Sequence, residues 1–119
     1  VPHIPDKKLV FQITRHSYKA LIESGVKIYE FTPGFSHSKA IVCDDEYGLV
    51  GSINTDFRSY FLHFEDAVLM YKTEAVKDVK EDFLQSLEKS HEVTMKEVNR
   101  TPLILKIIRA ILTLFIPLV

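Results

Sequence analysis

Apolar residues fall at helical spacing in the first stretch of the chain. Leu9, Val10, Ile13, Leu21 and Ile22 recur at intervals near three and four, with Pro5 and Asp6 ahead of them and Gly25 behind. A start signal, one apolar stripe and a stop signal predict an amphipathic helix over 6–24. The period then changes to two. Residues 26–31 place Val26, Ile28 and, less cleanly, Glu30 on one side and end at Thr32-Pro33-Gly34, which predicts a short strand closed by a turn. Residues 38–43 are small and β-branched, 44–46 are Asp-Asp-Glu, and 47–50 turn apolar again, the pattern of two strands joined tightly. Residues 51–59 read as a polar loop or short helical turn, and 63–71, with the run Ala67-Val68-Leu69-Met70-Tyr71, as a largely buried strand. A second helix is predicted over 74–90, where Val76, Val79, Phe83, Leu84 and Leu87 share a face opposite the charges. This alternation predicts an α/β fold, a mixed β-sheet of several strands flanked by helices, with no internal repeat and no interdomain linker.

Residues 101–119 form an apolar and basic tail. Pro102 can open a helix, on which Lys106 and Arg109 share one side and leave a broad apolar surface. The first reading is a final helix packed on the domain or on chain outside this sequence. The second is an interfacial helix that turns both cations to anionic lipid. The stretch 103–119 falls short of the roughly 18–20 uninterrupted apolar residues of a spanning helix.

Composition narrows the class only slightly. At 119 residues the chain suits one domain with one core, and 46% hydrophobic with 26% charged residues is ordinary for a globular protein. A formal charge of -1 argues against a nucleic-acid binder that works by broad phosphate neutralisation, so no nucleic-acid partner is expected. The single cysteine, Cys43, excludes an intrachain disulfide. The chain starts at Val1 without a leader pattern and reads as an excised piece of something longer.

The chemistry concentrates in His37-Ser38-Lys39-Ala40-Ile41-Val42-Cys43-Asp44 and in Gly51-Ser52-Ile53-Asn54. If 37–43 is extended, His37 and Lys39 point to one face with Cα atoms about 6.5–7 Å apart, so one phosphate can touch both. Histidine serves as nucleophile or general acid, and lysine supplies a cation for the nonbridging oxygens. Gly51 permits close backbone approach, and Ser52 and Asn54 add neutral donors. Asp44 lies at the far end of the strand, too far to reach the same phosphate, and is expected to hold the hairpin or a neighbouring motif residue. An isolated His-x-Lys is usually a surface pair; Asp44, Gly51, Ser52 and Asn54 in register reverse that reading.

The pattern H-x-K-x(4)-D-x(6)-G-S-x-N resembles the signature of the phospholipase D superfamily. Residues 29–35, 54–59 and 62–65 resemble the bacterial cardiolipin synthases, and the likeness runs over nearly the whole chain. The resemblance implies a C-terminal phospholipase D-like half-domain, 1–119, carrying the second of two motifs. The half with the first motif and the membrane helices would lie elsewhere. It implies transfer at phosphorus with neither metal nor cofactor. One histidine attacks phosphatidylglycerol to form a phosphohistidine, the other protonates the departing glycerol, and a second phosphatidylglycerol takes the phosphatidyl group to give cardiolipin. The implied catalytic residues are His37 as acid and base, Lys39, Asp44 and Glu65, the last orienting the histidine ring. The implied phosphate-binding residues are His37, Lys39, Ser52 and Asn54. The implied partners are phosphatidylglycerol, the half with the first motif and the membrane surface, with a homodimer that sets two copies of His37 face to face as the alternative to that half, and the implied location is the cytoplasmic side of the bacterial cell membrane.

Other residues read more plainly. Asp56 and Arg58 match family positions but suit a structural clamp, and His63 suits a satisfied core or surface histidine better than a pocket wall. Cys43 reads as a small buried hydrophobe. His3, His16 and His91 lack ligand-like spacing, so no metal site is expected. Two rival functions stay in view: a single-motif phosphodiesterase or nuclease acting as a homodimer, and a noncatalytic lipid-binding module.

Overall fold

The computed structural model describes residues 1–114. In chain order the elements are α1 (Lys8–Glu23), β1 (Tyr29–Phe31), β2 (Ala40–Cys43), β3 (Tyr47–Gly51), α2 (Phe57–Phe61), β4 (Ala67–Tyr71), α3 (Glu74–Glu88), β5 (Ser90–Glu92), α4 (Met95–Asn99) and α5 (Leu103–Thr113). The α/β class holds, with all strand ladders antiparallel: β1 with β5, and β2-β3-β4. A parallel bridge links Pro2 to Phe31. Residues divide into two compact units, 1–36 with 90–114, and 37–89.

In the first unit α1 ends where predicted. Gly25 adopts φ +89, which only glycine takes readily, and its N–H caps the Ile22 carbonyl at 3.0 Å. The strand predicted over 26–31 is ordered as a ladder only from Tyr29, because β5 offers three partners, Glu30 facing His91 at the centre. Tyr18, Ile28 and Val93 form the core, with Ile22 and Val98 against it.

The alternation that placed Val26, Ile28 and Glu30 on one side puts a carboxylate inside. Glu30 is 1% exposed. It accepts from Arg15 Nε at 3.0 Å and Arg15 Nη2 at 2.8 and 2.7 Å, from Tyr18 Oη at 3.2 Å, and stands 2.8 Å from His3 Nδ1. Burial pushes the Glu30 carboxyl up, but the hydrogen bonds from Arg15 and His3 outweigh it and hold the group below its ordinary value.

The helix α5 packs against α1. Arg109 turns inward, 7% exposed, and its Nε donates to Gln12 Oε1 at 2.8 Å. Lys106 stays outside and reaches the Asn99 carbonyl at 3.4 Å. The expectation that both cations turn outward together is therefore corrected for Arg109: three residues advance a helix by about 300°, so the two side chains stand about 60° apart and packing against α1 takes one of them. Residues 115–119 of the predicted tail helix lie outside the described residues. No helix among the described residues is long and apolar enough to cross a membrane.

In the second unit β2, β3 and β4 form an antiparallel meander with Ile41, Leu49 and Leu69 in one row and Val42, Gly48 and Met70 in the next. Asp44 and Asp45 make the β2–β3 turn at φ 52 and 58, and Glu46 N–H closes it on the Cys43 carbonyl at 3.1 Å. Two central residues at positive φ match the right-handed twist of a hairpin, and aspartate tolerates that region. Helix α3 covers the face that carries Gly48; Val76 is 1% exposed there, and a Cβ on Gly48 would stand 3.4 Å from Val76 Cγ2.

Two sequence expectations fail on this sheet. Cys43 is exposed, its thiol beside Asp44 Oδ2 at 3.4 Å, and most of β4 is exposed too, Leu69 and Tyr71 included. Within the unit α3 covers one face, while Cys43, Leu69 and Tyr71 stand on the other, so β-propensity did not translate into burial.

Two measurements test these constraints. Glu30→Gln leaves Arg15 without its charge partner and is expected to cost roughly 3–5 kcal/mol, read as a lowered melting temperature. A carboxyl held below its unfolded value, about 4.3 for glutamate, stabilises the fold above that pH and loses its contribution as pH falls through the folded value. Wild-type stability should therefore decline on acidification below about pH 4, and Glu30→Gln should flatten that slope; an equal slope would assign it elsewhere. Gly51 is hemmed in: a Cβ there would run into the Asp66 carbonyl oxygen and stand 2.6 Å from Ala67 Cα. Gly51→Ala should cost about 1–3 kcal/mol or more by overpacking and speed hydrogen exchange in β3 and β4; unchanged protection would refute the constraint.

Candidate functional site

The meander collects three segments at one end of the sheet. Ala40 pairs with Val50 and Gly51 with Ala67, so the residues before β2, after β3 and before β4 leave the ladders side by side. Backbone bonds continue past the strands: Gly51 N–H donates to the Lys39 carbonyl at 3.2 Å and Ser52 N–H to the Asp66 carbonyl at 2.9 Å. Segments 37–39, 52–54 and 63–66 thereby become neighbours although up to 29 residues separate their ends. Asp44 sits in the turn at the opposite end of β2.

His37 is exposed and precedes the ladder, which begins at Ala40, two residues later than the predicted strand. Lys39 folds back so that Nζ donates to the His37 carbonyl at 2.7 Å, which brings the ammonium beside the histidine backbone. Ser52 Oγ donates to Glu65 Oε2 at 2.5 Å and accepts from Asp66 N–H at 3.0 Å. A hydroxyl has one proton, so Ser52 must rotate away from Glu65 before it can donate to an anion. Asn54 follows, its N–H donating to Ser59 Oγ at 3.2 Å.

Short helix α2 anchors this rim. Asp56 caps it, accepting from Ser59 N–H at 2.8 Å. Arg58 turns to His63 instead: Nε and Nη2 lie 3.2 and 3.1 Å from His63 Nε2. Arginine can only donate, so His63 Nε2 accepts, and its proton sits on Nδ1, 3.7 Å from Glu65 Oε1. Hydrogen bonds from Ser52 and Ser59, with His63 adding to them, hold the Glu65 carboxyl below its ordinary value, so it is ionised at neutral pH. The polar chain Arg58, His63, Glu65, Ser52 thus ties α2 to the motif.

Of the residues picked from sequence, His37, Lys39, Ser52, Asn54 and Glu65 come to one end of the sheet, and Asp44 does not. The clamp expected of Asp56 and Arg58 is real for Asp56 as a cap, while Arg58 serves His63. Sequence reasoning missed Ser59, which is 7% exposed, accepts from Asn54 N–H and helps hold the Glu65 carboxyl below its ordinary value. The Asp-x-x-Ser spacing of a helix start was its one available signal. A cation, an imidazole, a carboxamide and an ionised carboxylate at one exposed rim can grip a phosphate and move a proton.

Known proteins resemble this chain in sequence. The model of the family "Cardiolipin synthase, PLD-like domain" matches residues 2–87. A protein of Streptococcus mutans is 43% identical over 99% of this chain and 26% of its own length. Cardiolipin synthases of a Geobacillus species and of Halalkalibacterium halodurans are 37% and 36% identical over 98% and 99% of this chain, and over 23% and 24% of theirs. The chain thus spans about a quarter of the length of the curated relatives it matches. No solved structure matches. With the motif residues gathered at one end of the sheet and the match covering most of the chain, the protein belongs to the cardiolipin synthase phospholipase D-like domain family.

Proposed function

We propose that this chain supplies one of the two motifs of a phosphatidyltransferase that joins two phosphatidylglycerol molecules into cardiolipin and glycerol at the cytoplasmic face of a bacterial cell membrane. The observation that carries the reading is the Gly51 N–H bond to the Lys39 carbonyl, which brings the His-x-Lys and Gly-Ser-x-Asn segments to one place. A histidine of the other motif attacks phosphorus, forming a P–N bond as the P–O bond to glycerol breaks. His37 gives that oxygen its proton. It then takes the proton of the second phosphatidylglycerol's hydroxyl as that oxygen displaces the phosphohistidine, and both histidines are restored. Lys39 and Asn54 hold the nonbridging oxygens, with Ser52 once it turns from Glu65. Ionised Glu65 steadies the imidazole, and Asp44 acts at a distance, through the hairpin turn that sets the register.

Because attack and departure occur on opposite sides of phosphorus, one motif cannot perform both. The isolated chain is expected to be inactive as a monomer: gel filtration coupled to a phosphatidylglycerol transfer assay checks this, and turnover by a proven monomer would overturn the two-motif mechanism. In a full-length protein containing this chain, His37→Asn should lower cardiolipin formation by about 10² to 10⁴. Synthesis that survives the substitution removes His37 from the chemistry, and cleavage of single-stranded DNA in place of transfer would favour the nuclease reading.

A further inference from the structure

The unit built from α1, β1, β5, α4 and α5 holds a cavity of about 180 Å³, lined among others by Arg15, Glu30, His91, Glu97, Thr101 and Arg109. It shares no residue with segments 37–39, 52–54 and 63–66. Its two carboxylates are already engaged. Glu30 takes the whole fork of Arg15 together with Tyr18, and has His3 at 2.8 Å. Glu97 lies 3.0 and 3.1 Å from His91 Nε2 and accepts Thr94 N–H at 3.1 Å.

Arg109 is different. It is 7% exposed, yet of its five N–H donors one is used, Nε to the neutral amide oxygen of Gln12. The four N–H groups on its terminal nitrogens have no acceptor among the described residues, and neither nitrogen is sealed off from open space. Its charge neighbours are Arg15, Tyr18 and Glu30. Burial and the nearby Glu30 push the Tyr18 phenol far up, so it stays neutral; of the two carboxylates in the lining, Glu30 is committed to Arg15 and Glu97 to His91, and neither is hydrogen-bonded to Arg109. A largely buried guanidinium whose terminal nitrogens open on a cavity and meet no protein acceptor is a ready partner for an anion that enters it.

We infer that this cavity binds a phosphate-type oxyanion, gripped by the terminal nitrogens of Arg109 with the Thr101 hydroxyl beside it. A planar fork with four open donors suits an oxyanion better than a point charge such as chloride. The volume exceeds the space that several waters need and so admits a tetrahedral oxyanion with a small substituent. The anion can therefore come from solution or be a phospholipid headgroup whose tails stay outside.

The test uses the full chain carrying Lys39→Ala, so that the motif end of the sheet does not supply the signal. Inorganic phosphate, compared with chloride at equal ionic strength, is expected to bind one to one by calorimetry. It should raise the melting temperature by about 5 °C at ten times its dissociation constant. Adding Arg109→Met should abolish the shift, and adding Thr101→Val, which leaves the guanidinium in place, should weaken binding several-fold. No phosphate-specific shift with Arg109 intact, or a shift that survives Arg109→Met, overturns the site and leaves Arg109 as a clamp on Gln12. If Arg109→Met does not fold, the intact-arginine titration and Thr101→Val decide by the same readouts. Short-chain phosphatidylglycerol that competes with inorganic phosphate identifies the headgroup as the source; phosphate binding without such competition identifies the free anion.

Discussion

The shared strand β3 is the constraint on which the candidate site depends. It pairs Val50 with Ala40 on one side and Gly51 with Ala67 on the other, and this double register decides which residues emerge together at the sheet end. A slip of one residue in either ladder would turn every side chain of the slipped strand to the opposite face and would part Lys39 from Gly51. Gly51 locks the arrangement because the Asp66 carbonyl oxygen and Ala67 occupy the space a side chain would need. At the far end the Asp44-Asp45 turn holds the same register by its backbone conformation.

Electrostatics are handled differently in the two units. In the motif-bearing unit the charged and polar groups are mostly open to water and are linked in a chain, from Arg58 through His63 and Glu65 to Ser52. Such a rim keeps Glu65 ionised and leaves His37 and Lys39 accessible to a ligand. In the other unit charge is taken inside, where Glu30 collects the donors of two side chains from α1 and stands against His3. Satisfying every lone pair of a buried carboxylate demands a specific packing of α1 on β1, and this specificity is what such a group offers in place of hydrophobic contact.

The proposed chemistry and the open donors of Arg109 both concern phosphate, yet they rest on unlike physics. At the motif end the binding groups are brought together by backbone pairing and meet solvent. Around Arg109 the lining is brought together by helix packing, and its distinguishing feature is a largely buried guanidinium with donors open to the cavity.

Local pattern sufficed for much of this protein. Periodicity located α1, the β2–β3 hairpin, β4 and α3, because amphipathic spacing and turn residues act over a few positions. The spacing of His37, Lys39, Asp44, Gly51, Ser52 and Asn54 pointed to the family, because a signature of several fixed positions is carried by sequence alone. Tertiary structure decided what depends on partners distant in sequence: that β1 pairs with β5 some 60 residues on, that Glu30 and Arg109 point inward, that Ser52 meets Glu65, and that Cys43 stays exposed. Burial and charge pairing are set by whichever elements come to lie against a residue, and no window along the chain contains that information.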